Sequence, residues 1–321
     1  MRKSLLNMYH DLKESASTSD FPLLLGNVQH KALINAFRGV VSPWRQYVKT
    51  SDLADFKTAD RIVLGESADL LEVPEGGGYT DHAIGEKRYQ IQAYTYGREW
   101  SISRQAVIND DLQGLSDISA RMGRGSARTL VKKIVAQLEA NALAYDGSAI
   151  FRAANSGFTT LTADTTGIGV LNTAMVAIKN STDPHSGEKL GIGNRFILLV
   201  PPALAMVAKW LQQATTVVGS TSSLGTNPLA NTFDVVVEPF LNLTTRWYLM
   251  VDPAELHWCE VGFVNGQQEP DVLMKAASSV SVTGGGSDPY GYEFDDIRYK
   301  VRYDFGVKAA FYQAIYKGGN A

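Results

Sequence analysis

The chain has 321 residues, a mass of 35.0 kDa, 30 basic and 33 acidic side chains, and a formal net charge of -3. Hydrophobic residues at 45% and charged residues at 20% match an ordinary globular protein and exclude a disordered or collagen-like chain. A pI of about 6.0 argues against a dedicated nucleic-acid binder, and the lone Cys259 permits no intramolecular disulfide.

Arg2 and Lys3 imitate the start of a signal peptide, but Asn7, His10, Asp11, Lys13 and Glu14 interrupt any apolar core. Residues 1–25 read as an arm rather than a packed unit. Asn27 is the predicted cap of a short helix through Val28, Ala32, Leu33, Ala36 and Phe37, ended by Gly39. Strands are predicted over 56–64 and 89–102. The second changes phase, because Tyr89, Ile91 and Ala93 share one face before Tyr94, Tyr96, Trp100 and Ile102 take over. One extra residue near Ala93–Tyr94 would produce that change, so a bulge or sharp twist is expected there. The 24 residues between the strands carry Pro74, Gly76–Gly78 and the acids Glu66, Asp69, Glu72, Glu75, Asp81 and Glu86. So long a connection is uncommon inside a compact domain. It predicts a hairpin that leaves the body to reach another molecule; the alternative is a surface loop with no partner.

Leu115, Ile118, Met122, Leu130, Val131, Ile134, Val135, Leu138, Ala142 and Tyr145 recur at three- and four-residue steps and predict a long helix over 115–145. Gly123 and Gly125 should weaken or bend its first part, and Gly147 should close it. Next come a helix at 169–180, a buried strand at 195–200 and a helix begun by Pro201 and Pro202. A Ser/Thr/Gly-rich loop at 214–232 precedes strands at 233–237 and 247–251. This alternation predicts an α/β or α+β segment. Strands return at 297–305 and 308–316. The longest apolar run, the 13 residues 196–208, is broken by two prolines and too short to span a bilayer. A soluble protein made in a reducing cytoplasm is expected, and the sequons at Asn180 and Asn242 read as chance matches.

Catalytic chemistry is not legible. His10, His30, His82, His185 and His257 show no ligand spacing. His257 and Cys259 would share a strand face, but a Cys/His dyad also needs an orienting partner and an anion-stabilising loop. Gly123-Arg124-Gly125-Ser126-Ala127 has the form of a nucleophile elbow, yet it lies in a helical pattern without a preceding strand. Gly191-Ile192-Gly193 lacks a third glycine. The pairs Asp110/Asp111 and Asp295/Asp296 read as turns or caps rather than cation sites. Trp44, Trp100, Trp210, Trp247 and Trp258 are scattered and form no stacking stripe. No catalytic, cofactor-binding or metal-ligating residue is predicted, and no cofactor.

What remains is an arm, an oversized hairpin, a rod-like helix, a compact segment and a returning sheet, the inventory of a shell-building subunit. At this level the chain resembles the major capsid proteins of tailed phages with the Hong Kong 97 fold, most closely the Mu-like major head subunits. The likeness is carried by SDFPLLLGNVQHKAL at 19–33, the 56–103 hairpin, the 115–145 helix and RFILLVPPAL at 195–204. EP…WYLMVDP at 238–253, GQQEPDV at 266–272 and DDIRYKVRYDFGV at 295–307 complete it. The resemblance implies an α+β fold with an N-terminal arm at 1–25 and the start of a P-domain at 26–55. It further implies an E-loop at 56–103, a P-domain with its spine helix at 104–150, an A-domain at 151–254, and P-domain return strands at 255–321. It implies a homo-oligomer of hexamers and pentamers in an icosahedral virion shell, assembled in the host cytoplasm around DNA held non-specifically. Portal, scaffold or maturation protease and decoration proteins would be its partners, with no membrane. Lys57 and Lys87 flank the hairpin, but no cross-linking motif matches either. An encapsulin-type nanocompartment shell is the alternative within this class, and a small cytoplasmic hydrolase using His257 or an acidic pair the alternative outside it.

Overall fold

A computed structural model describes residues 20–40, 42–65, 70–79, 85–103, 105, 112–218, 224–275, 279–280, 287–288 and 295–319. In chain order its first elements are α1 (Asp20–Arg38), β1 (Lys49–Leu53), β2 (Ala59–Leu64), β3 (Glu86–Ile91), β4 (Tyr94–Ser103) and α2 (Leu112–Glu139). Next are α3 (Thr165–Lys179), β5 (Phe196–Val200), α4 (Ala205–Gln213), β6 (Thr216–Val218), β7 (Leu224–Thr226), β8 (Phe233–Val237) and β9 (Trp247–Val251). The last are β10 (Cys259–Val264), β11 (Asp271–Met274), β12 (Ser279–Val280), β13 (Ser287–Asp288), β14 (Asp296–Ala309) and β15 (Ile315–Gly318). The chain divides into two units, one drawn from Met1–Val41, Tyr94–Leu130 and Gln267–Phe305, the other from Ser42–Ala93, Val131–Gly266 and Gly306–Ala321.

In the first unit β14 is the common partner of two antiparallel neighbours. It pairs with β4 from Asp296↔Ser103 to Phe305↔Tyr94, and with β11 from Asp271↔Arg302 to Met274↔Tyr299. Trp100, Ile102, Ile297, Tyr299 and Val301 form a core with Leu33 of α1, and Ile118 and Met122 of α2 pack against it. Helix α1 starts at Asp20, earlier than the cap predicted at Asn27, which lies inside the helix. Pro22 permits the earlier start, since a first-turn proline lacks only an N–H that has no helical partner anyway. Of the predicted arm, residues 1–19 lie outside the described residues.

Helix α2 runs unbroken for 28 residues, about 42 Å at the usual rise. Gly123 does not bend it. A Cβ there would lie 2.2 Å from the Leu33 carbonyl oxygen, so this glycine lets the backbones of α1 and α2 meet. The helix ends before the predicted 145 because Asn141 takes a left-handed φ of 50°. The Asn141 N–H then reaches the Leu138 carbonyl and the Ala142 N–H the Gln137 carbonyl, the closing bonds of a helix C-terminus. Gly147, the predicted terminator, turns the segment that follows.

In the second unit a four-stranded sheet has the order β15-β9-β5-β8, with β5 parallel to β8 and antiparallel to β9. Every residue of β5 and β9 is buried, which is why both read as unbroken apolar runs. Leu171, Ala174, Met175 and Ile178 of α3 and Ala208 and Leu211 of α4 belong to the same core. Helix α3 begins at Thr165 rather than at the predicted 169, because Asp164 caps it by accepting from the Gly167 N–H at 3.0 Å. The predicted loop 214–232 contains the short β6–β7 pair. The same unit holds a parallel β1–β10 pair and an antiparallel ribbon of β2 and β3, from Ala59↔Ile91 to Leu64↔Glu86. The phase change after Ala93 is therefore a change of sheet and not a bulge: β3 pairs with β2, whereas β4 pairs with β14.

The close approach at Gly123 generates a paired expectation. Gly123→Val should cost about 1–3 kcal/mol, as overpacking does, and lower the thermal midpoint read by circular dichroism. Gly125→Ala, which meets only the tip of Arg128 at 4.0 Å, should leave the midpoint unchanged or raise it. Equal effects of the two substitutions would contradict the assigned role of Gly123.

Candidate functional site

The ribbon's two faces follow from strand alternation. Arg61 and Tyr89 are cross-strand partners, as are Ala59 and Ile91, and these four point inward; Ile62 opposes Arg88 and Leu64 opposes Glu86 on the outer face. The inner face meets Glu260 of β10, whose carboxylate is only 2% exposed. Arg61 Nε donates to Glu260 Oε1 at 2.9 Å, the Tyr89 hydroxyl donates to Oε2 at 2.5 Å, and the Ser51 hydroxyl also donates to Oε1. Burial alone would raise the Glu260 pKa. The hydrogen bonds from Ser51 and Tyr89 and the Arg61 charge outweigh it and hold the group below the usual carboxylate range.

His257 Nε2 lies 3.1 Å from the Tyr89 oxygen. The single hydroxyl proton of Tyr89 goes to the carboxylate, so Nε2 carries the proton that His257 donates to that oxygen. Burial, with Lys49 and Arg61 nearby, pushes the His257 pKa down to about 4 and keeps the ring neutral. A second buried acid, Glu238, accepts from the Tyr47 hydroxyl at 2.9 Å, the Ser42 hydroxyl at 3.2 Å and the Phe240 N–H at 3.3 Å. Burial raises its pKa, opposed in part by these donors.

The residues considered for catalysis do not form a catalytic site. Cys259 is fully buried, and desolvation with the Glu260 charge pushes its thiol up, away from the thiolate a nucleophile needs. Ser126 donates to the Met122 carbonyl inside α2, with no elbow around it. Gly193 turns with a φ of 103° and donates its N–H to Glu255. Asp296 is engaged by Arg298 Nε at 3.1 Å, whereas Asp110 and Asp111 lie outside the described residues. An open cleft of about 580 Å³ beside His257 is lined by Arg45, Lys49, Asp252, Glu255 and Phe311, and its two acids are already bonded within the chain. Among the described residues no group of three or more His, Cys, Asp or Glu could hold a metal, and no helix is long and apolar enough to cross a membrane.

The conspicuous surface is the ribbon's outer face and tip. Ile62 and Leu64 are 69% and 68% exposed, and Leu70 and Tyr79 are 98% and 91% exposed. Sequence reasoning found the hairpin but missed Glu260 as its anchor. The available signal was Arg61, a cation on the half-buried face of a strand, which needs a buried acid opposite.

What the geometry shows is a two-stranded ribbon pinned at Glu260, with apolar side chains on its outer face. Solved structures share its fold. A virus-like particle from Pyrococcus furiosus aligns with a TM-score of 0.51 and 11% identity, covering 91% of this chain and 98% of that one. Mycobacterium phage Adephagia gives 0.55 and 11%, covering 90% and 89%, and the capsid of the cyanophage P-SCSP1u gives 0.51 and 13%, covering 88% and 90%. No curated protein matches the chain. Residues 87–318 match the model of a family described as phage capsid protein, and the chain belongs to that family. It is a structural major capsid protein of the Hong Kong 97-like α+β fold, not an enzyme, and its place is the virion shell.

The ribbon anchor predicts acid sensitivity in two windows. His257 titrates at about 4 when folded and near 6.5 when unfolded, so its contribution is present above pH 6.5 and falls between 6.5 and 4. Glu260, held below the ordinary glutamate value of 4.5, contributes above that pH and is lost as pH falls through its folded value. Thermal midpoints should drop from pH 6.5 downward, and His257→Gln should flatten the upper window. Arg61→Ala should cost about 1–3 kcal/mol at pH 7 by stranding the carboxylate. An unchanged midpoint for Arg61→Ala would contradict the anchor.

Proposed function

We propose that copies of this chain close an icosahedral shell of hexamers and pentamers around double-stranded DNA, and that its nearest kin are the Mu-like major head subunits. The finer kinship rests on the ordered stretches from 19–33 to 295–307 quoted above. In this reading residues 1–25 are the arm, 56–103 the E-loop, 26–55, 104–150 and 255–321 the P-domain, and 151–254 the A-domain. Portal, scaffold or maturation protease and decoration proteins join it in the host cytoplasm. DNA is held without base readout, because no groove-reading motif is present and the net charge is -3. A cargo-loaded nanocompartment shares the architecture, but the phage family match favours the virion shell.

The observation that carries this reading is the exposed apolar ribbon. Ile62 and Leu64 lie bare on the outer face of a strand pair whose inner face is fixed to the body, and Leu70, Leu71 and Tyr79 lie bare in the connection between its strands. Monomers rarely expose such a patch without a partner for it. In a shell the neighbouring copy supplies the cover, over more than the ~1,600 Å² of a standard interface.

The test removes the ribbon tip and keeps its anchor. Replacing residues 66–84 by a short Gly/Asn turn retains the Gly65 N–H to Gly85 carbonyl bond and the Tyr89–Glu260 contact. Loop shortening of this kind changes stability little. The variant should unfold cooperatively yet form no closed particles; normal shells in the electron microscope would overturn the reading.

A further inference from the structure

The apolar outer face of the ribbon does not involve the open cleft beside His257. That cleft lies wholly within the second unit, among residues 45–50 at the entry of β1, residues 252–257 and Phe311. Its volume of about 580 Å³ falls among small-molecule sites. The charges that line it are unevenly satisfied. Glu255 accepts the Gly193 N–H at 2.9 Å on one oxygen and the Asn194 N–H at 3.2 Å on the other. Asp252 accepts the Ala254 N–H at 2.9 Å and Arg195 Nη1 at 3.5 Å. The Lys49 ammonium, by contrast, has no hydrogen-bond or ion-pair partner among the described residues. It stays close to the cleft, because its charge helps to depress the pKa of His257. Arg45 adds a second cation to the lining, its guanidinium 4.7 Å from the centre of the Trp44 ring.

An unpaired cation beside acids that are already engaged favours an anion, whereas an amine or metal cation would find both carboxylates occupied. Phe311 narrows the class. Its ring stands nearly perpendicular to the His257 ring, 5.1 Å between centroids, and lines the same cleft. Aromatic rings pair edge-on or offset with other rings, so this wall suits a flat apolar body better than a hydrated inorganic ion. We propose that the cleft binds a small aromatic anion, its oxyanion group on Lys49 and its ring against Phe311. The proposal stands apart from the shell reading, since every residue it uses lies within one unit of one copy. His257 reports on the occupant. The ring is faced by the cations of Lys49 and Arg61, by the Glu260 carboxylate, by the Tyr89 hydroxyl and by Phe311. Of those three charges only Lys49 lines the cleft. An anion placed on it offsets its charge at the ring and makes His257 easier to protonate.

Three probes separate the two parts of the ligand in an NMR titration of the full-length subunit. Benzenesulfonate carries a ring and a charge that pH does not change, sulfate carries the charge without the ring, and benzenesulfonamide carries the ring without the charge. Benzenesulfonate should bind with a Kd of about 1–10 mM, the range expected for so small a ligand, and either control at least about fivefold more weakly. The His257 titration should move up from about 4 when benzenesulfonate is added. Lys49→Gln should reduce benzenesulfonate to the affinity of benzenesulfonamide. Lys49 is exposed, so the thermal midpoint of the variant should stay at the wild-type value. Absence of benzenesulfonate binding in this range would overturn the proposal. Equal binding of sulfate would reduce the site to an ion contact, and equal binding of benzenesulfonamide would make it an apolar slot; each result overturns it too. So would wild-type affinity in Lys49→Gln, or a His257 titration that ignores the ligand. Should Lys49→Gln fail to fold, the three-probe comparison and the His257 titration of the wild-type chain decide.

Discussion

A buried carboxylate decides how the ribbon is held. Glu260 sits in β10, opposite Lys49 in the register of the β1–β10 pair, with 2% of its surface exposed. Taking an ion that far from water costs several kcal/mol unless charge and hydrogen bonds replace the lost hydration. Ser51 comes from β1, whereas Arg61 and Tyr89 come from the two strands of the ribbon. Because those two are cross-strand partners, both must face the acid together. Strand alternation then leaves Ile62 and Leu64 no place but the outer face. A slip of one residue would bury Ile62 at the cost of stranding Glu260. The apolar outer surface is thus the reverse side of an electrostatic constraint.

Glu238 solves a similar problem by different means. It has hydroxyl and backbone donors but no cation among the described residues, and its pKa rises where that of Glu260 falls. Tyr47 links it to the rest of the unit, since its hydroxyl binds Glu238 while its carbonyl accepts from Trp258 Nε1 at 2.7 Å. The segment leading into β1 is therefore tied at its entry by Glu238 and beyond it by Glu260. Such ties give a two-stranded ribbon, marginal by itself in water, a fixed direction of departure.

Elements whose signal is local were legible in the sequence. The runs FILLV and WYLMV announced strands and the three- and four-residue recurrence of Ile118 through Leu138 announced α2, whereas the shift of face after Ala93 was visible but its cause, a change of strand partner, was not. Boundaries set by backbone chemistry were less so. Asn141, not a glycine, takes the left-handed residue that ends α2, and Pro22 permits α1 to begin before Asn27. Arg61 signalled that a buried acid was needed, but the identity of such long-range polar partners was not legible. Arg61 and Glu260 are 199 residues apart, and Tyr89 and Glu260 are 171 apart, so no window of sequence contains the pair. For the same reason the partners of His257 and Cys259 were not legible: the fold makes one a neutral hydrogen-bond donor to Tyr89 and the other a buried, protonated thiol.

The central claim is that the ribbon is fixed at its base in every copy and covered at its tip only by assembly. Amide hydrogen exchange on isolated subunits and on purified particles measures this directly. The account predicts slow exchange over 59–64 and 86–91 in both forms, because those amides belong to the anchored ribbon. Over 70–79 it predicts fast exchange in the subunit and strong protection in the particle. Exchange over 70–79 that is equally fast in both forms would contradict it.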